Sequence, residues 1–177
     1  MGMEIEKKFI VKELPKDLDK LPFHLIEQAY INVSPAIRVR QQDDEYYMTY
    51  KGTRSSAPGE IGQLEYNMPL DAASYEHLRS KADGNILRKK RYLVPVNVDA
   101  YDSDYLAKRP ELAEMIKSGK MAIELDVFAE PFDGFVLAEL EFPDEEAARM
   151  YHMADWFSED VTGKIEYSNA YMSRQKT

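Results

Sequence analysis

Charged side chains recur two residues apart along this chain, and the sign of the charge changes from one stretch to the next. Glu4, Glu6 and Lys8 follow one another at that spacing, as do Arg38 and Arg40, Thr49 and Lys51, Glu65 and Asn67, Lys89 and Arg91, Glu124 and Asp126, and Glu139 and Glu141. In an extended strand residues i and i+2 share a face, so each set projects together. A solvated sheet face mixes signs among Ser, Thr and Gln, whereas here cations are sorted onto some stretches and carboxylates onto others. Paired carboxylates without cysteine or clustered histidine are hard oxygen ligands of the type that suits Mg²⁺ or Mn²⁺. Lys8, Arg38, Arg40, Lys51, Lys89 and Arg91 add cations to the same face. Arg presents a flat fork to phosphate oxygens and Lys a point charge. A single phosphate does not call for so many cations plus a metal, but three linked phosphates do. The chemistry implied is in-line phosphoryl transfer, with water as the simplest nucleophile.

The elements that must position these groups read mainly as strands. Alternation marks Met3–Val11, Glu27–Val33, 36–42, 45–51, Gln63–Leu70, Ile86–Val96, Met121–Glu130 and Phe135–Phe142, with turns at Asp43-Asp44 and Pro131–Gly134. Their other faces are apolar, as in Ile5 and Phe9, Ile37 and Val39, Ile123, Leu125 and Val127, and Ala138, Leu140 and Phe142. Lys7, Arg88 and Lys90 interrupt that side and are expected at rims. Helical spacing predicts a turn at Asp17–Leu21 and helices over Asp71–Ala82, Asp102–Lys117 and Asp144–Trp156, before an irregular C-terminal segment. The Gly- and Ser-rich stretch Gly52–Gly62 reads as a mobile loop. Burying so many charges dry costs several kcal/mol per ion, so the charged face must line a wet, occupied lumen. About eight strands closed on themselves leave room for one small ligand. The locally basic lumen would then be wrapped by an apolar outer wall that the helices cover.

Composition narrows the partners. The 177 residues fit one domain over 1–177, and the net charge of −9 argues against nucleic acid and anionic membranes while leaving room for a small polyanion arriving with a divalent cation. Without cysteine there is no disulfide, thiolate metal site or Cys nucleophile. The charged opening MGMEIEKKFI lacks a secretory pattern, and no uncharged run is long enough to span a bilayer, so a cytoplasmic protein is expected. Homodimerisation is left open. His24, His77 and His152 lack ligand spacing, there is no GxxxxGK[ST] loop, Trp156 reads as a core anchor, and Tyr46, Tyr47 and Tyr50 read as ordinary strand residues.

These residues resemble a known family. EIEKKF at Glu4–Phe9 matches the ExExK signature of the CYTH superfamily, the triphosphate tunnel metalloenzymes. The likeness continues through QAYI (Gln28–Ile31), IRVRQ (Ile37–Gln41), YYMTYKG (Tyr46–Gly52), LEY (Leu64–Tyr66), KKRY (Lys89–Tyr92), ELDVF (Glu124–Phe128), LAELEF (Leu137–Phe142) and WFSEDVT (Trp156–Thr162). The resemblance implies an α+β chain built on an eight-stranded antiparallel barrel, open as a tunnel. It is closest to the bacterial branch that hydrolyses inorganic tripolyphosphate to pyrophosphate and phosphate by metal-activated water. Carried over, Glu4, Glu6, Glu139 and Glu141 would hold Mg²⁺ or Mn²⁺, with Glu65 and Asp126 as further ligands or their neighbours. Lys8, Arg38, Arg40, Lys51, Lys89 and Arg91 would grip the triphosphate, and Glu6, Lys8 and Arg40 would act in catalysis.

The chain departs from the family pattern at Gln63 and Asn67, where an Arg and a second Glu are usual, and at Lys164 and Glu166, where an Asp and an Arg are usual. A helical insertion is expected over 99–121, packed on the barrel wall. Two other functions share the fold and the cations: a class IV-type adenylate cyclase or an organic triphosphatase for nucleoside or thiamine triphosphates, and a non-catalytic triphosphate or polyphosphate binder.

Overall fold

The computed structural model describes residues 2–52 and 62–176; most of the expected Gly52–Gly62 loop lies outside them. Nine strands form one antiparallel sheet: β1 (Gly2–Val11), β2 (Phe23–Val33), β3 (Ala36–Gln42), β4 (Glu45–Lys51), β5 (Gly62–Leu70), β6 (Leu87–Pro95), β7 (Ala122–Phe128), β8 (Val136–Glu141) and β9 (Phe157–Asp160). Their order is β5-β4-β3-β2-β6-β7-β8-β1-β9, and the sheet curls until β1 also meets β5.

The expected eight-stranded barrel is thus present with one modification. Only the first half of β1 pairs with β5, from Gly2 with Glu65 to Ile5 with Gly62. Past Ile5 the same edge pairs with β9, through Phe9 with Asp160 and Ile10 with Glu159. The sheet is therefore curled and not strictly closed. The stagger that a barrel requires leaves part of the β1 edge without β5, and β9 satisfies its backbone groups.

Alternation sends the charged positions inward and the apolar positions outward. Phe9, Val94, Ile123, Leu125, Ala138 and Leu140 are buried beneath the helical layer. The helices are α1 (Ala72–Arg79), α2 (Ser103–Lys108), α3 (Pro110–Lys117), α4 (Glu145–Met150) and α5 (Asn169–Ser173). Asp71 caps α1 by accepting from Ser74 N at 2.7 Å, and Tyr75 buries fully against Ala29 and Val39. Residues 99–121 pack on the wall through Leu112, Tyr101 and Ile116. None of the described helices is long and apolar enough to cross a membrane.

Four local expectations are corrected. The strand expected from Glu27 begins at Phe23, where Phe23, Leu25 and Ile26 blur the alternation. The helix over Asp102–Lys117 is two helices, because Pro110 cannot donate and holds Arg109 at φ −128°, ψ 64°. The helix from Asp144 stops at Met150, and Tyr151 and Ala154 enter the core as extended chain. Lastly, the C-terminal segment is ordered into β9 and α5, and it closes one end of the sheet. Val161 and Met172 bury there with Tyr30, Leu87, Phe128 and Leu137. Asn85 N donates to Ser173 O at 2.6 Å, and a Cβ on the neighbouring Gly84 would stand 2.2 Å from that oxygen. Glycine is required at that approach.

Lys7, Arg88 and Lys90 are each engaged by a neighbouring side chain. Lys7 lies 3.6 Å from Asp160, Arg88 Nε donates to Glu27 at 2.8 Å, and the Lys90 ammonium lies 4.4 Å from the Phe23 ring centroid.

Candidate active site

The inner face of the curled sheet encloses a cavity of about 200 Å³. Lys8, Arg38, Arg40, Lys51 and Arg91 line it together with Glu4, Glu6, Glu65, Glu124, Glu139 and Glu141. The register assembles them: Glu6 stands opposite Glu141 and Lys8 opposite Glu139 on β1 and β8, while Lys51 stands opposite Glu65 on β4 and β5. Five cations thus face six carboxylates in the lining, so the lumen is charge-balanced and not basic as the sequence suggested. Two expected residues stand apart. Lys89 and Asp126 form an ion pair with no exposed side-chain surface, behind the lining.

Carboxylates hold most of the cations. Lys8 bonds Glu139 and lies 3.4 Å from Glu6. Lys51 joins Glu4 to Glu65, the latter at 3.0 Å. Arg91 forks onto Asp126 at 2.6 and 2.7 Å and also reaches Glu124 and Glu139.

Arg38 and Arg40 differ. They are 6% and 7% exposed, yet among the described residues neither has a carboxylate within ion-pairing distance. Arg40 is met by neutral groups: Gln28 Oε1 accepts from Nε at 3.1 Å and from Nη2 at 2.9 Å, and the Tyr47 hydroxyl accepts from Nη1 at 3.2 Å. Tyr30 stands beside Arg38, whose Nε has no hydrogen-bond partner. Two buried guanidiniums on one strand without a direct carboxylate contact, Arg38 feeling Glu65 and Glu4 only at longer range, form a seat that an anion would complete.

The electrostatics follow from these contacts. Burial pushes Glu4 up to about 8 despite Lys51, with Glu6 and Glu65 adding repulsion. Burial opposes ionisation of Glu65 as well, but Lys51 and Arg38 hold it down at about 2. Glu139 is also desolvated, yet Lys8 and Arg91 keep it well below the usual carboxylate range. Burial lowers Lys89 to about 8 against the attraction of Asp126, and burial together with Arg38 lowers Arg40.

Glu4, Glu6, Glu139 and Glu141 are a hard-oxygen set that fits a divalent cation chemically. As the side chains stand, no group of three or more Asp, Glu or His among the described residues is placed to hold an ion together. The cause is visible in the ion pairs: Glu4 and Glu139 are turned onto Lys51 and Lys8.

The cavity has two approaches at opposite ends of the β3–β4 hairpin. One, of about 430 Å³, shares Glu6, Lys8, Arg38, Lys51 and Asn169 with it and extends to Lys164 and Arg174. The other, of about 620 Å³, shares Arg40, Gln42, Tyr47 and Glu65 and extends to Asp44 and Glu45. Gln28, Tyr30, Gln42, Tyr47 and Asn169 are participants that the sequence reading missed. Gln42 continues the Arg38, Arg40 parity and Tyr47 the Lys51, Thr49 parity, so a signal existed for both. Asn169 carried no such signal, because only the fold of the C-terminal segment brings it here. The histidines stay outside: His24 Nδ1 lies 2.7 Å from Asp43 and His152 Nδ1 lies 3.1 Å from Asp99 O.

Comparison with known proteins gives the family. The family model for the CYTH domain matches residues 2–129. The chain belongs to the CYTH family. An inorganic triphosphatase of Nitrosomonas europaea is 32% identical over 170 residues, covering 94% of this chain and 93% of that one. An inorganic triphosphatase of Acetivibrio thermocellus is 29% identical over 174 residues, covering 96% and 92%. The crystal structure of an inorganic triphosphatase superposes with a TM-score of 0.64 at 28% identity, over 99% of this chain and 97% of its own. A Hippeastrum protein classed with adenylyl cyclases and described as having a dominant triphosphatase activity gives 0.53 at 15% identity over 83% of each chain, a likeness of fold.

In this CYTH protein the departures from the family pattern have identifiable neighbours. Asn67 Nδ2 donates to Glu65 Oε1 at 2.8 Å and its Oδ1 accepts from Thr49 at 2.6 Å, so it orients a carboxylate instead of supplying one. Lys164 bonds Glu159 at the edge of the Arg174 approach.

Proposed function

We propose that the protein hydrolyses inorganic tripolyphosphate to pyrophosphate and phosphate in a reaction that depends on Mg²⁺ or Mn²⁺. The observation that carries this reading is the pair of buried guanidiniums, Arg38 and Arg40, facing a small polar cavity with no carboxylate among the described residues within ion-pairing distance. The named triphosphatases at 32% and 29% identity support the same substrate class. At about 200 Å³ the cavity is smaller than the roughly 300–1,000 Å³ typical of drug-sized ligands, which suits a phosphate chain without an organic group inside it.

Arg38, Arg40, Lys8, Lys51 and Arg91 would grip the three phosphoryl groups and neutralise the charge that grows on the leaving pyrophosphate. Lys89 would act through Asp126 and Arg91, since it does not reach the lining. Glu4, Glu6, Glu139 and Glu141 would hold the divalent ion, with Glu65 beside them. The ion supplies positive charge and polarises phosphoryl oxygens when bound. That need follows from the charge balance, because a polyanion entering a lumen of five cations and six carboxylates leaves it strongly negative unless metal accompanies it. Glu6 is the carboxylate assigned to accept a proton from the attacking water.

The test is phosphate release from tripolyphosphate and from ATP, with Mg²⁺ or Mn²⁺, alongside detection of cyclic AMP. Orthophosphate from tripolyphosphate without a cyclic product supports the proposal. Cyclic AMP without orthophosphate would sink it in favour of a cyclase. Stabilisation by tripolyphosphate with no turnover under either metal would make the protein a binder.

A further inference from the structure

We propose that Gln28 is a positioning residue, whose neutral amide aims the Arg40 guanidinium at the substrate without cancelling its charge. The inference rests on the triphosphatase reading and extends it to a residue outside the cavity lining. Gln28 on β2 stands opposite Arg40 on β3 and is fully buried. One oxygen, Oε1, accepts from two nitrogens of the guanidinium, Nε at 3.1 Å and Nη2 at 2.9 Å. Those donors fix which end of the amide faces Arg40. The other end is left over: Gln28 Nε2 is buried and has no hydrogen-bond partner.

On folding grounds a carboxylate would serve better at this position. It would add full ion pairing to hydrogen bonds that already draw on the charge of the guanidinium. It would also remove the buried Nε2 donor that now has no partner, putting in its place an acceptor that needs a donor of its own. Lys8, Lys51 and Arg91 in the same cavity do face carboxylates. Stability alone therefore does not account for a glutamine here. Retention of charge does: the amide and the Tyr47 hydroxyl at 3.2 Å hold the guanidinium from neutral sides, and its remaining N–H groups and full positive charge stay available to a phosphoryl oxygen.

The experiment compares wild type, Gln28→Glu and Gln28→Met in thermal melts and in steady-state hydrolysis of tripolyphosphate with Mg²⁺. Gln28→Glu should melt at or above the wild-type temperature while its KM rises at least tenfold, a split that a structural role would not produce. A folded Gln28→Glu enzyme with kcat and KM both within twofold of wild type would overturn the inference. Should that variant fail to fold, Gln28→Met decides through a double-mutant cycle. It should lower kcat/KM at least fivefold in the native background and leave it unchanged in an Arg40→Lys background; equal losses in both backgrounds would overturn the inference. Wild-type protein that neither binds nor hydrolyses tripolyphosphate would instead overturn the functional reading, and this inference with it.

Discussion

Arg40→Ala and Arg91→Ala should separate stability from activity, because the two arginines are buried alike but partnered differently. Arg40 has neutral partners, so its removal strands Gln28 Oε1 at a cost of about 1–3 kcal/mol. The same change relieves repulsion from Arg38 and Arg91, the like charges that help lower Arg40. The net should stay within about 2 kcal/mol, which for a chain of this size is at most roughly 4–8 °C in Tm. Arg91 holds Asp126, Glu124 and Glu139. Deleting it leaves buried Asp126 to Lys89 alone and Glu139 to Lys8 alone and takes the guanidinium from Glu124, at about 3–5 kcal/mol, or roughly 6–20 °C. Activity should order differently. Losing Arg40 removes charge-assisted bonds to phosphoryl oxygen that strengthen in the transition state, so kcat should fall about 10²–10³-fold. Phosphate release from tripolyphosphate, normalised to folded protein, and thermal melts read the two quantities. If Arg40→Ala lowers Tm as much as Arg91→Ala does, or keeps its rate within threefold, the claim that Arg40 is held in reserve for an anion is wrong.

Glu6→Ala should lose most of its turnover together with its response to Mg²⁺ or Mn²⁺; full metal-dependent turnover in this variant would refute the ligand assignment. Leu112→Ala, at a fully buried position of the insertion, should cost about 2–5 kcal/mol by melting without changing the rate per folded molecule more than threefold. A larger change would give the insertion a part in the site. Asp144 accepts from Ala147 N at 2.8 Å and from Arg109 at 2.6 Å, and the Ala147 bond foremost holds its carboxyl below the ordinary value. Its contribution is therefore present above the unfolded pKa and lost as pH falls through the folded one. Asp144→Ala should cost about 1 kcal/mol at pH 7 for a lost cap, roughly 2–4 °C in Tm, and make no difference once the pH lies well below the folded pKa; a gap that persists in strong acid would contradict this assignment.

The residues lining the cavity were legible in the sequence because side-chain alternation is a property of the extended backbone itself. Glu4, Glu6 and Lys8 share a face whatever β1 pairs with, and the same holds for Arg38 with Arg40 and Glu139 with Glu141. Sorting by sign made that face recognisable as a site. The same rule could have extended the list to Gln42 and Tyr47. It could not place Lys89 and Asp126 behind the lining, since parity gives direction but not depth.

Cross-strand partners and closure were decided only by the tertiary structure. Register and stagger are relations between strands distant in the chain, and no single strand encodes them. They put Gln28 against Arg40 and Glu139 against Lys8, leave the β1 edge to β9, and carry Asn169 to the cavity from the end of the chain. The sequence determined that many charges share an interior. Their pairing determined that the interior is balanced, with Arg38 and Arg40 facing it without a carboxylate in direct contact among the described residues, because whether a buried charge is satisfied depends on what the fold sets within a few ångströms of it.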